Sequence, residues 1–306
     1  MRLTDIGRDL FGRPYLLLSL TSLFWAGNIV LGRFVAGHIP PIALAWMRWS
    51  GAACILLAFA WPHLKRDWPL VRANIPVLTL LSFTGVSIYN AMAYWGLQRT
   101  EALNALLIQS TGPLLIALWG FALFRETLSA RQFAGIIVSL AGVAVIVTRG
   151  DPAALADLRL NPGDVWVLSA MILYALYSAL LRIKPAMHWL SFVAATSALG
   201  ALLLTPAFLW ELAQGRAPTA DATTFAAIAY VALFPSTLAY LFFNRGVELI
   251  GANRAGPFFH LMPVFGSVLA IGFLGERLAA FHAIGFPLVL LGVFVASRAA
   301  KPAPPP

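Results

Sequence analysis

Apolar residues fill long stretches of this chain, and polar residues gather in the short gaps between them. The apolar runs fall at 15–31, 42–61, 75–95, 102–124, 133–148, 165–181, 190–210, 225–243, 252–274 and 279–297. Each approaches the length of about 20 residues that an α-helix needs to cross a bilayer. The pattern predicts an all-α integral membrane protein with ten transmembrane helices, short loops and no room for a soluble domain. Arg2, Arg8 and Arg13 precede the first run, as in a signal peptide, but no small-residue cleavage site follows. The first run is therefore read as an uncleaved helix.

Composition agrees with this reading. Of 306 residues, 60% are apolar and 11% charged, against about 25% charged in soluble domains. The mean hydropathy is +0.82. Too few charges remain to cover a water-facing surface, which excludes a soluble enzyme, and the hydrophobicity excludes a disordered chain. The net charge of +9 is spread among the gaps, as in membrane loops, and does not form the basic face of a nucleic-acid binder. With the N-terminus inside, the inner gaps hold fourteen Lys and Arg and the outer gaps six, which places both termini in the cytoplasm. The lone Cys54 allows no internal disulfide and is expected to be a small buried apolar residue.

The two halves align. An offset of 150 pairs Gly96 with Gly246, Ala105 with Ala255, Pro113 with Pro263, Glu126 with Glu276, Gly135 with Gly285 and Gly142 with Gly292. An offset of 149 pairs Arg33 with Arg182. Five spans is an odd number, so the second half enters the membrane from the opposite side. Two inverted five-helix repeats around a central cavity point to an alternating-access transporter, with its substrate site near the midplane.

The residues Tyr94-Trp95-Gly96-Leu97, Glu101-Ala102, Gly112-Pro113, Arg125-Glu126-Thr127-Leu128, Gly135 and Gly142-Val143 recur in the second half as Gly246, Gly251-Ala252, Met262-Pro263, Gly275-Glu276-Arg277-Leu278, Gly285 and Gly292-Val293. This series resembles the EamA branch of the drug/metabolite transporter superfamily over nearly the whole chain. The resemblance implies ten helices in two repeats, with 1–14 as a cytoplasmic N-terminus, 15–148 as the first repeat, 149–163 as a linker and 164–298 as the second repeat; the proline-rich 299–306 reads as a disordered tail. Arg48, in Trp46-Met47-Arg48-Trp49, fits the family's second helix. Arg125 stands where the family usually has Gly. The aromatic-rich inner helices are similar to YddG-type exporters, which implies export of aromatic and other apolar amino acids across a bacterial inner membrane.

Candidate site residues follow from depth and pairing. His260 pairs with Ser110 at the repeat offset, and each precedes a proline, Pro263 or Pro113, by three residues. Proline frees a backbone carbonyl one turn earlier. His260 either lines the site or bonds a neighbouring helix. Asn90 and Tyr94 lie four apart on one helix face, and Tyr240 and Asn244 are the same pair in swapped order. They suit either a polar aromatic pocket or interhelical bonds. Gly85 and Pro235 also correspond, so both helices are expected to bend there. Trp25 aligns with Tyr174 and Asn28 with Tyr177, all in mid-span, where they line a cavity or pack. Arg48 is costly at depth unless paired or wet, and it either caps carbonyls or meets a substrate carboxylate. Trp46, Trp49, Trp61 and Trp68 read as interface or packing residues. Glu126 and Glu276 read as structural, accepting from the N–H groups of the next helix.

No carboxylate lies deep in a span, and only His260 and Arg48 are deep and ionisable, which favours facilitated over proton-driven transport. The chain has no P-loop, HExxH, GxSxG or Cys/His metal cluster, so neither an enzyme nor a metal or other cofactor is expected. The expected partners are a small-molecule substrate and the lipid bilayer around a monomeric unit. Two alternatives stay open: a multidrug or phosphorylated-solute transporter of the same superfamily, and a membrane enzyme acting on lipid.

Overall fold

The computed structural model describes residues 11–100, 105, 108–148, 150–151, 153, 161–274 and 279–297. Glu101, Glu276, Arg277 and the 299–306 tail lie outside them. Every regular element among the described residues is helical. In chain order these are α1 (Pro14–Phe34), α2 (Pro41–Ala73), α3 (Ile75–Leu97), α4 (Gly112–Phe124), α5 (Ala130–Val147), α6 (Pro162–Leu180), α7 (Trp189–Ala213), α8 (Ala222–Ile250), α9 (Leu261–Leu274) and α10 (Ala280–Ser297). A 3-10 turn, Gly256–His260, leads into α9. Seven helices, α1, α2, α3, α6, α7, α8 and α10, are long and apolar enough to cross a membrane, while α4 and α5 are shorter apolar helices. The outward faces carry Phe59, Leu202 and Phe225, a surface suited to lipid.

Helix ends follow local chemistry. Proline opens α1, α2 and α6, where its missing N–H costs nothing. Ser129 and Gln132 form a reciprocal cap at α5, so Glu126 is not needed there. This corrects the expectation for Glu126, which pairs instead with Arg182 at 2.5 Å and accepts from Asn253 Nδ2 at 3.2 Å. Helix α4 ends at Arg125 with φ 57°, the one non-glycine residue at positive φ among those described. Arginine thus takes the left-handed turn that glycine adopts without strain.

Two further expectations are corrected. The second apolar run was expected to end at residue 61, yet α2 continues to Ala73. Leu64, Asp67 and Val71 form an inward stripe at helical spacing, while Lys65 and Arg72 lie over the exposed rings of Trp61 and Trp68. An amphipathic extension of this kind is invisible to a search for apolar runs. Cys54 is exposed, because the buried stripe of α2 runs through Ala52, Ala53, Leu56 and Ala60 and turns Cys54 outward.

Packing pairs recur. Helix α1 lies against α8 and α9, and α6 lies against α3 and α4; α2 packs on α7, and α5 on α10. In the α5–α10 seam the backbones nearly touch: a Cβ on Gly292 would sit 2.3 Å from Ser139 N and 2.5 Å from Gly135 O. Helices α2 and α7 cap one another at opposite ends. Asp67 accepts from His188 N at 2.9 Å, ahead of α7, and Glu211 accepts from Ala43 N at 2.6 Å, in the first turn of α2.

Candidate functional site

The site is organised by two matching breaks in helix geometry. Residues Phe83–Ser87 in α3 and Ala232–Leu238 in α8 are π-helical. These are the segments of Gly85 and Pro235, where bending was expected. In each, the next helix's first N–H reaches back five residues, from Ile88 to Phe83 O and from Ala239 to Phe234 O. Proline has no N–H, so the Val231 carbonyl is free to accept from Ser236 Oγ at 2.6 Å. A widened turn leaves carbonyls for other donors, and π-bulges recur at functional sites.

Side chains from the facing helices take these carbonyls. Tyr240 OH of α8 donates to Gly85 O. Trp25 Nε1 of α1 donates to Pro235 O at 3.0 Å, and Arg48 Nη2 of α2 donates to the same oxygen at 3.0 Å. The close approach at the first bulge requires glycine, since a Cβ on Gly85 would lie 2.3 Å from the Tyr177 ring.

One turn further on, two hydrogen bonds mirror each other. Tyr94 OH of α3 donates to Asn28 Oδ1 of α1 at 2.6 Å. Tyr177 OH of α6 donates to Asn244 Oδ1 of α8 at 2.7 Å. Tyrosine and asparagine have exchanged helices between the two pairs while the bond is kept. Trp25 and Tyr174 come together edge to face, with ring centroids 5.4 Å apart. Tyr240, Tyr177, Phe243 and Phe259 complete a buried aromatic cluster around Tyr174. Asn90 is buried but turns inward on its own helix, donating to Val86 O at 2.7 Å.

Arg48 is 1% exposed. Its Nε donates to Ser236 Oγ and its Nη1 to Tyr94 OH at 2.9 Å. It also lies over the Trp49 and Tyr94 rings. Among the described residues no carboxylate pairs with it. Three buried polar atoms in the same region, Trp49 Nε1, Tyr174 OH and Asn244 Nδ2, have no hydrogen-bond partner among the described residues.

His260 and Ser110 meet. His260 Nε2 donates to the Ser110 carbonyl at 2.7 Å, and Ser139 Oγ bonds Nδ1. With both nitrogens taken, the imidazole ties the Gly256–His260 turn to α5 and to the approach to α4.

Sequence reasoning missed Trp49, Phe243, Phe259, Ser236 and Tyr89, whose ring lies 4.6 Å from that of Tyr174. Trp49 is 0% exposed and meets Tyr240 at 4.7 Å, so it belongs to the cluster, whereas Trp46 stacks on Phe208 and bonds Thr205 Oγ1. The signal for Ser236 was its place beside Pro235, whose missing N–H leaves a carbonyl for a nearby hydroxyl.

Two polar clusters flank this core, one beside the C-terminal part of α2 and one just before its N-terminus. His63 and His188 stack at 3.7 Å; burial pushes the His188 imidazole below its usual range. His38 pairs with Asp221 at 3.0 Å, and Asp221, which also caps α8 through Thr224 N, is held below the usual carboxylate range by that backbone bond.

A family model described as the EamA-like transporter family matches residues 12–148 and again 161–298. The chain is 29% identical to YyaM of Bacillus subtilis (strain 168), named an uncharacterized transporter, over 92% of this chain and 93% of that protein. It is 26% identical to a probable terminal-alkyne amino-acid exporter of Streptantibioticus cattleyicolor, over 92% of each. A crystal structure with 18% identity superposes on 92% of this chain and 95% of its own with a TM-score of 0.72, a likeness of fold. Two matches of one family model, covering nearly all of a helical chain with membrane-crossing spans, place this protein in the EamA-like transporter family.

Proposed function

We propose that this protein exports amino acids with aromatic or apolar side chains across the bacterial inner membrane by alternating access. In this reading the two matched segments are five-helix repeats inserted in opposite orientations, with both termini in the cytoplasm. The observation that carries it is the exchanged Tyr94–Asn28 and Tyr177–Asn244 bonds at one buried aromatic cluster. Equivalent helices of the two segments meet there, each beside a π-bulge. Aromatic walls suit an apolar side chain, and amides, phenols and bulge carbonyls suit a zwitterion. Substrate sites of inverted-repeat transporters lie at such junctions, beside broken helices. The packing pairs support the same arrangement, because exchange of the segments maps α1–α8 onto α6–α3 and leaves α2–α7 and α5–α10 unchanged. The name of the Streptantibioticus cattleyicolor relative supports the substrate class.

Transport is proposed to be facilitative, since His260 spends both nitrogens on protein partners. The test is uptake of labelled phenylalanine, tryptophan, methionine and a sugar phosphate into proteoliposomes, with and without a pH gradient. Amino-acid uptake that equilibrates and ignores the gradient is expected. Accumulation that follows the gradient would overturn the facilitative reading, and uptake of the sugar phosphate alone would overturn the substrate class.

A further inference from the structure

We propose that Arg48 is the receptor for a substrate carboxylate, and that it reaches that carboxylate by exchanging away from the α8 bulge it now holds. This deepens the function proposed above and rests on the aromatic cluster being the substrate site.

The argument starts from an imbalance of charge. Arg48 is a buried cation whose partners are all neutral: the Ser236 and Tyr94 hydroxyls, the Pro235 carbonyl and two ring faces. A guanidinium offers five N–H donors in a fork that matches a carboxylate, and only three bonds to protein are made. Each present bond joins the cation to a neutral acceptor, whereas a carboxylate brings a full opposite charge at low dielectric and two oxygens that match the guanidinium fork, so an arriving carboxylate outcompetes each present partner.

The partners are also arranged to be left without loss. Pro235 O keeps its bond from Trp25 Nε1. Ser236 Oγ still donates to Val231 O. Tyr94 OH still donates to Asn28 Oδ1. Departure of Arg48 therefore orphans none of the three groups, and only the guanidinium itself needs a new partner. Here every acceptor has a second hydrogen bond.

The arrangement is one-sided. At the repeat offsets Arg48 corresponds to Ser197 or Ala198 of α7, so the cation exists in one half only. A zwitterion would be oriented, with its carboxylate toward α2 and the α8 bulge. Tyr174 OH, unpartnered in the cluster, is an acceptor available to the ammonium. Exchange of Arg48 also removes its hydrogen bonds from α2 to the α8 bulge, so carboxylate binding would loosen one link between the two segments.

The test is binding to the purified full-length protein, read by quenching of intrinsic tryptophan fluorescence and by thermal shift. The probes are L-phenylalanine, its amide, 3-phenylpropionate and 2-phenylethylamine. Phenylalanine and 3-phenylpropionate are expected to bind at least about tenfold tighter than the amide and the amine, the gap a charge-assisted pair supplies. Arg48→Gln should erase that gap. Because Arg48→Gln can also fail to fold, Ser236→Ala is the second variant. It removes a competitor of the carboxylate and should tighten 3-phenylpropionate binding relative to 2-phenylethylamine, which a merely structural arginine would not do. Binding of 3-phenylpropionate but not phenylalanine supports the carboxylate receptor and overturns the amino-acid reading. Equal or tighter binding of the amine overturns the receptor and leaves an aromatic-solute exporter standing. Binding of none of the four overturns both.

Discussion

Replacing Gly292 tests the helix seam on which the whole arrangement hangs. Its missing Cβ would lie 2.3 Å from Ser139 N and 2.5 Å from Gly135 O. Both neighbours are backbone and cannot swing aside. A methyl group needs about 3.5 Å, so α5 and α10 must part by about 1 Å, which forfeits up to half of each dispersion contact. With on the order of 25 atom pairs at about 0.15 kcal/mol each, the loss is about 2 kcal/mol. Exchanging glycine for alanine inside a helix returns about 1 kcal/mol, leaving a net cost of about 1 kcal/mol for Gly292→Ala. Gly292→Val opens the seam further and regains less, so about 3 kcal/mol is expected, at the upper end of overpacking costs. The double variant Gly135→Ala/Gly292→Ala is the sharper probe. One separation admits both methyls, while the helix gain comes twice, so the pair should cost no more than either single change. Unfolding in mixed micelles, titrated with SDS and followed by tryptophan fluorescence, reads these differences. A tolerated Gly292→Val, or a double variant whose cost is the sum of the two singles, would refute the close seam.

Three further outcomes follow from the same structure. Among the described residues, Tyr177→Phe removes the only bond of the Asn244 amide, and Tyr94→Phe removes bonds to both Arg48 and Asn28; each bond is worth about 0.6–1.7 kcal/mol in a membrane, so SDS titration should show Tyr94→Phe as the costlier change. Arg125→Gly relieves a left-handed conformation that costs an ordinary residue about 1–2 kcal/mol, so it should be neutral or stabilising, whereas Arg125→Val should destabilise in the same titration. His188 is depressed by burial and by neighbouring His63 and Arg66; the unfolded chain takes up the proton first, so stability present above the ordinary histidine range should fall as pH drops through it, and a His188→Gln variant should lose that slope.

What the sequence made legible was what repeats. The match of Tyr94 and Asn28 to Asn244 and Tyr177 could be read from the offset alone, because each position falls on its counterpart 150 or 149 residues on; that each tyrosine bonds the asparagine of another helix could not, because the offset says nothing of which helices adjoin. Gly85 and Pro235 were legible as corresponding positions through the same offset, and the π-helical turns fall on them. Trp49 was not: its neighbour Trp46 and the other α2 tryptophans look alike in one dimension, and only the rotation of α2 against α8 decides that Trp49 turns inward. Cys54 was misjudged by the same ambiguity, since an apolar run does not reveal which stripe faces lipid. The extension of α2 past residue 61 was hidden because its inward stripe contains Asp67, a residue that apolar scanning treats as an end. Depth singled out His260 as an ionisable group, but its two partners, Ser139 and the Ser110 carbonyl, were not legible, because they come from other elements.

The two π-bulges carry one more consequence, for how the chain tolerates length changes. Each residue of an α-helix advances the azimuth by about 100°. The bulges of α3 and α8 therefore set the phase of everything downstream, including Tyr94 in one helix and Tyr240 and Asn244 in the other. Deleting a single residue within 83–87 or 232–238 would let the helix anneal to regular pitch and rotate that whole segment off its partners, although no contacting side chain had been changed. Insertions and deletions at these two places should thus be far less tolerated than in the loops, and a paired deletion in both would misphase both hydrogen-bonded pairs at once.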